Sequence, residues 1–207
     1  MIAGNEAAKW FIFHNPELAS GYIDENTKIN KLVYFSNLMH RCVHNENLIS
    51  DDFVAFPNGP VVYAIYRDYR YNGLNQLPKA IAPLEKEQEK TLNIINFVYG
   101  DFLADELVKE SHSHSLWKKV EFMIPNNPKI DFNDIDDDLI KYNKNLYDTY
   151  SEVNFSELKK EKINGNIYYY IKDGIELTEN MIELLSSFEK YDEPKFLEII
   201  DGELVVS

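Results

Sequence analysis

Cysteine is nearly absent. Cys42 stands alone in 207 residues, so no intrachain disulfide can form, which suits a reducing compartment. Basic residues are in the minority, 21 against 35 acids, for a formal net charge of -14. That field repels nucleic-acid phosphates and anionic membrane surfaces, and it attracts basic partners. Long apolar runs are missing too. The N-terminus lacks a basic head followed by an apolar stretch, and no segment has enough consecutive apolar residues to span a bilayer; a cytoplasmic protein is expected. Glycine is scarce, eight residues, with no glycine-rich elbow and no phosphate-cradling run. Aromatic residues, by contrast, are abundant, 14 Tyr and 12 Phe, and the length suits one domain with an appendage or two small domains around a sizeable core.

Helical signals dominate the first two-thirds. Glu6 to Phe13 reads as a helix ended by Asn15-Pro16. Asn26 or Thr27 is expected to cap the next helix, with a buried stripe of Ile29, Leu32, Phe35, Met39 and Cys42 at three- and four-residue steps. Phe53 to Phe56 leads, as a short helix or extended strand, to Gly59-Pro60, where glycine permits positive φ and proline is expected to set the first turn of a helix running to Tyr71. Further helices are expected over Glu85 to Tyr99, Leu103 to Lys109, Leu116 to Phe122, and around Leu139 and Leu146. After Lys162 the pattern turns β-like: Asn164-Gly165, Asp173-Gly174 and Asp201-Gly202 are hairpin signals, separated by a helix that Thr178 can cap. The fold class expected is mainly α, with a helical domain over 1–150 and a small C-terminal α+β extension over 151–207.

Several groups invite chemistry. His40 and His44 are one helical turn apart, but no third ligand stands near them, so no metal is expected. Ser111-His112-Ser113-His114-Ser115 pairs hydroxyls with imidazoles and lacks an oriented third group; the structural alternative has it capping the short helix that bears Trp117. The acidic cluster Asp134, Asp136, Asp137 and Asp138 lacks the glycine and terminal glutamate of a calcium loop. It reads as a solvated helix start or as a docking strip for a basic partner. Tyr63, Tyr66, Arg67, Arg70 and Tyr71 stud one helix with residue types favoured at interface hot spots. Half-buried packing tyrosines are the bland alternative. Tyr168 and Tyr170 lie on a strand whose aromatic edge, if exposed, would invite pairing.

The pieces form an ordered set: Lys28-Ile29-Asn30-Lys31-Leu32-Val33-Tyr34-Phe35; then Ala55-Phe56-Pro57-Asn58-Gly59-Pro60-Val61 with Tyr66; then Leu92, Tyr99-Gly100, Leu107, His112 and Trp117-Lys118-Lys119. Over roughly residues 5–125 this resembles the Panacea domain, the SocA-like or phage-associated GepA type of antitoxin, with Phe56 in place of the usual tryptophan and Val120 where alanine is common. The resemblance implies a mainly helical, non-enzymatic, cofactor-free antitoxin. Its partner would be a cognate protein toxin encoded in the same operon, bound directly so that the toxin's active surface is occluded or locked. Toxins paired with such domains include translation inhibitors, membrane-active peptides and small relatives of the alarmone synthetases, and a higher-order toxin–antitoxin complex is allowed. The alternative is a proteolytic adaptor delivering the toxin to a protease. The expected contact residues are Tyr63, Tyr66, Arg67, Arg70 and Tyr71, then Asp134 and Asp136 to Asp138, then Tyr168 and Tyr170; Trp10, Leu32, Tyr34, Phe35 and Trp117 are assigned to the core.

Overall fold

In the computed structural model, which describes residues 1–191 and 194–207, the chain divides into two compact units, Met1–Glu152 and Val153–Ser207. In the first unit, helix α1 (Gly4–His14) is followed by α2 (Ile23–His44), and α2 is the axis of the unit. Ile29 to His40 are buried without a break. The expected stripe is therefore too narrow: apolar residues such as Leu32, Val33 and Phe35 point to different sides because α2 has neighbours all round. Its cap is also displaced from the expected site. The helix begins at Ile23, and Asn26 lies inside its first turns, donating its amide to the Tyr66 carbonyl at 3.0 Å. Asn45, in the left-handed region at φ 59°, ends it.

Strands β1 (Phe53–Phe56) and β2 (Gly59–Val62) form an antiparallel hairpin in register Ala55↔Pro60. Pro60 thus sits in a strand, not in the first turn of a helix. Its missing N–H is tolerated because a short two-stranded ribbon is all edge. Helix α3 (Tyr63–Tyr71) follows at once. Helix α4 (Lys86–Tyr99) starts with a capping box between Glu85 and Gln88. Then come α5 (Ala104–Ser113), α6 (Ser115–Lys118) and α7 (Asp137–Tyr150). The expected helix over Leu116 to Phe122 is really the single turn of α6, with a 3-10 segment (Glu121–Asn126) after it. Helices α1, α3, α4, α5 and α7 all pack on α2.

The second unit holds β3 (Leu158–Ile163), β4 (Asn166–Ile171), α8 (Glu179–Ser186), β5 (Lys195–Ile200) and β6 (Glu203–Val206), in the order β3-β4-β5-β6. The pairs β3–β4 and β5–β6 are antiparallel hairpins, turned at Asn164-Gly165 and Asp201-Gly202, where all four residues have positive φ. The β4–β5 pair is parallel and joined across α8. Asp173-Gly174 makes no hairpin; it turns the chain toward α8, which Thr178 caps by accepting the Met181 N–H. Tyr168, Tyr170, Leu185 and Leu197 are the buried centre. With eight α-helices among the described residues and its larger sheet confined to the second unit, the protein is mainly α with a small α+β extension.

Candidate partner-binding face

Residues far apart in sequence meet where α2, the β1–β2 turn and α5 converge. Lys31 is completely buried, and its Nζ donates to the Pro60 carbonyl at 2.9 Å. Gly59, at φ +94°, lets the turn come this close: a Cβ there would stand 2.6 Å from Ser111 Oγ and 2.9 Å from Lys31 Cε. Among the described residues Lys31 has no carboxylate partner, and burial lowers its pKa from 10.5 to about 7. Next door, His112 stacks on Trp117 with ring centroids 3.7 Å apart, and burial, then the Lys31 charge, lowers its pKa.

Tyr34 Oη lies 3.1 Å from His114 Nδ1, and His114 Nε2 lies 3.5 Å from Glu110. Phe35 stacks on Tyr99 at 4.8 Å, and the N–H of Gly100 closes α4 on Asn96. These side chains are packing and turn-fastening groups. His114 is the N-cap residue of α6, as expected of this stretch, but it serves through its backbone carbonyl, which accepts the Trp117 and Lys118 N–H groups, while the His112 and His114 rings make aromatic contacts instead. Leu32, Trp10 and Val61 are buried with them.

The two other candidate chemistries dissolve in the same way. Ser111 is buried and donates to the Val108 carbonyl. His40 is buried against Thr91, with ring centroids 4.4 Å from His44, and burial, then His44, lowers its pKa to about 4. No group of three or more His, Cys, Asp or Glu among the described residues could hold a metal ion.

Helix α3 points its chemistry outward. Ile65 and Tyr69 are buried, the latter donating from Oη to the Leu18 carbonyl at 2.7 Å, while Tyr63 and Tyr71 are 56% and 68% exposed. Arg70 donates to Tyr66 Oη at 3.2 Å and lies over the Tyr71 ring. Tyr66 packs edge-on against Phe56 and lies near Tyr63. Arg67 is tied to Asp68 at 2.8 Å, whose carboxyl is held below its usual range by Asn72, Asn5 and Arg67. Among the described residues, Arg70 has no carboxylate partner.

At the start of α7, Asp136 accepts the Leu139 N–H and Asp134 pairs with Lys119, while Asp137 and Asp138 are exposed. Asp136, Asp138 and Tyr142, at the start and along the first turns of α7, line a cleft of about 290 Å³ that Glu110 of α5 and His114 at the α5–α6 junction complete. Only its two aspartates were visible as a cluster in sequence.

Tyr168 and Tyr170 need correction. β4 is an interior strand with neighbours on both sides, and both tyrosines are buried, Tyr168 reaching the Leu185 carbonyl. They are core residues of the second unit, not an exposed edge.

A groove of about 170 Å³ also escaped the sequence reading. Ile23, Asn26, Thr27, Asn30 and Lys31 form one wall along α2, and Phe56, Pro57, Asn58, Val61 and Tyr66 form the other. A second groove, of about 310 Å³, flanks α2 at Asp24 and Lys28 and is closed by Phe102 and Leu103. The exposed Tyr22 and Ile23 lie at the start of α2; an apolar pair outside the buried stripe was the available hint.

No helix of the described residues is long and apolar enough to cross a membrane. No curated protein and no solved structure matches the chain. Residues 29–118 match the family described as antitoxin SocA-like, Panacea domain. That span runs from the buried middle of α2 through the hairpin, α3, α4 and α5 to Trp117. Over that stretch, less than half of its 207 residues, the chain is similar to the SocA-like Panacea domain of antitoxins.

Proposed function

We propose that this protein is a non-enzymatic, cytoplasmic antitoxin that neutralises a protein toxin of its own operon by direct binding, with the domain over 1–150 making the contact. The family supports the class. The observation that carries the reading is α3, a helix that buries Ile65 and Tyr69 and offers Tyr63, Arg70 and Tyr71 to solvent, with the half-buried Tyr66 beside them. Tyrosine and arginine arranged this way are the side chains on which protein interfaces concentrate their energy. Asp134, Asp137 and Asp138 supply a second, acidic patch suited to a basic toxin surface, such as the nucleotide- or RNA-binding site of a translation inhibitor or a small alarmone synthetase. Nucleic acid is a poor partner for a chain of net charge -14.

Co-expression with the product of the adjacent open reading frame tests this. Growth should be rescued by the native chain and lost with Arg70→Glu combined with Tyr63→Ala, while the melting temperature stays unchanged. Rescue by that variant and by charge reversal at Asp137 and Asp138 would reject both patches. Toxin level separates occlusion from the adaptor alternative: occlusion leaves the toxin intact, whereas an adaptor removes it in a protease-dependent way.

A further inference from the structure

The cleft between the last turn of α5 and the start of α7 carries charge of one sign. Glu110, Asp136 and Asp138 line it, and among the described residues no lysine or arginine does; Leu139 and Tyr142 give it an apolar and aromatic wall. His114 lines it too and is only 6% exposed. Its Nδ1 is taken by Tyr34, while its Nε2 rests on Glu110 at 3.5 Å, long for a hydrogen bond. The two aspartates have a structural use, since carboxylates at a helix start complement its dipole, and Asp136 accepts the Leu139 N–H. Glu110 has no such use. It stands in the last turn of α5, the end of a helix that suits cations instead.

A metal ion does not fit this arrangement, because no group of three or more His, Cys, Asp or Glu among the described residues is placed to hold one. Carboxylates spread around a cleft of about 290 Å³ suit a larger cation whose charge is shared over several donors. Glu110 is held below its usual range by His114, and Asp136 by Ser115 and then the Leu139 N–H, so both are ionised at neutral pH. Of the two protein cations, guanidinium is the better match. It is flat and always charged, presents five donors in a fork, and stacks on aromatic rings, whereas an ammonium is a compact point charge that is harder to strip of water.

We propose that this cleft seats an arginine side chain of the bound toxin, its guanidinium on Glu110 and Asp136 and its stem against Leu139 and Tyr142. These two carboxylates also act on His114, the buried side of the cleft; Asp138 adds charge at the exposed start of α7. The toxin as the source of the arginine rests on the antitoxin reading. The cleft's preference for a guanidinium does not, and it can be measured without the toxin.

The full-length protein, isotopically labelled, is titrated with Ac-Arg-NH2, with its uncharged isostere Ac-citrulline-NH2 and with Ac-Lys-NH2, following backbone amides by NMR. Ac-Arg-NH2 should give saturable shifts at Ser113, Ser115, Leu139 and Tyr142 in the millimolar range, with the citrulline probe about tenfold weaker and the lysine probe about threefold weaker. Glu110→Gln and Asp136→Asn, which keep the side-chain shape and leave α7 a competent N-cap, should each lower the arginine affinity about threefold or more. Each covers a failure of the other to fold. Equal affinity for the arginine and citrulline probes, shifts confined to other residues, or a preference that survives both substitutions would overturn the proposal. Lysine binding as tightly as arginine would overturn the guanidinium assignment. An arginine preference without any complex with the operon's neighbour would leave the cleft standing and sink the toxin reading; a complex whose affinity is unchanged by Glu110→Gln and by Asp136→Asn would do the reverse.

Discussion

A fully buried lysine couples its own protonation to the stability of the fold. Lys31 has a folded pKa of about 7 against 10.5 in its ordinary state, so between these values the unfolded chain binds more protons, and stability must rise with pH. The slope is at most about 1.4 kcal/mol per pH unit, and the gain is missing below about pH 7. Urea midpoints measured from about pH 7 to pH 8, below the range where the buried Cys42 thiol, raised to about 11, opposes the trend, should climb in the native chain and stay nearly flat in Lys31→Met; parallel curves would show that Lys31 is not the titrating group. His112 and His40, whose pKa values are also lowered by burial, act in the same direction, but their window lies below about pH 6.5 and does not overlap. Gly59 is the other residue with a sharp expectation. Gly59→Ala forces a Cβ against Ser111 and Lys31 at φ +94°, so it should destabilise by about 1–3 kcal/mol, seen as a lower urea midpoint at unchanged slope. Neither effect was legible beforehand. Lysine is among the residues least often buried, and nothing local to Lys28-Ile29-Asn30-Lys31 says which of its two lysines faces inward. Only the return of the chain at Pro60 decides it.

At the scale of the element, α3 separates structure from contact within two neighbouring residues. Tyr69→Phe removes a buried hydroxyl that donates to Leu18 and accepts from the Gly21 N–H. It should therefore cost about 1–2 kcal/mol of stability and leave toxin affinity per folded molecule unchanged. Arg70→Glu should do the opposite: no change in melting, and at least a tenfold loss of affinity by calorimetry. If both variants weaken binding only in proportion to the unfolded fraction, α3 is packing and not an interface. Elements with local chemistry were readable in advance. Asn164-Gly165 and Asp201-Gly202 turn hairpins because those residue types accept positive φ, and Thr178 caps α8 because a hydroxyl can take an orphan N–H. Elements decided by distant neighbours were not. Pro60 looks like a helix start until β1 pairs with it, and Tyr168 and Tyr170 look like an edge until β5 arrives from across α8. The run Ile167 to Ile171 carried the warning, since a strand without alternating polar residues is usually covered on both faces. The groove was out of reach for the same reason: its walls come from α2, the hairpin and α3.

For the whole molecule, the quantity that acts at a distance is the net charge of -14. The Panacea match covers 29–118, whereas the compact first unit extends to Glu152. The acidic start of α7 therefore lies outside the matched span but inside the first unit. If that acidity steers capture of a basic toxin, the effect belongs to the association rate more than to the contacts that hold the complex, because long-range attraction acts before docking and is screened within a Debye length of roughly 10 Å at 0.1 M salt. Stopped-flow association with the operon's neighbour should slow by about tenfold or more between roughly 0.01 and 0.3 M salt, with dissociation changing far less. Neutralising Asp137 and Asp138 to asparagine should flatten that dependence while leaving the dissociation rate nearly unchanged. A salt-independent association rate would mean that the acidity serves solubility alone, and that the toxin is recognised entirely through close contacts such as those of α3.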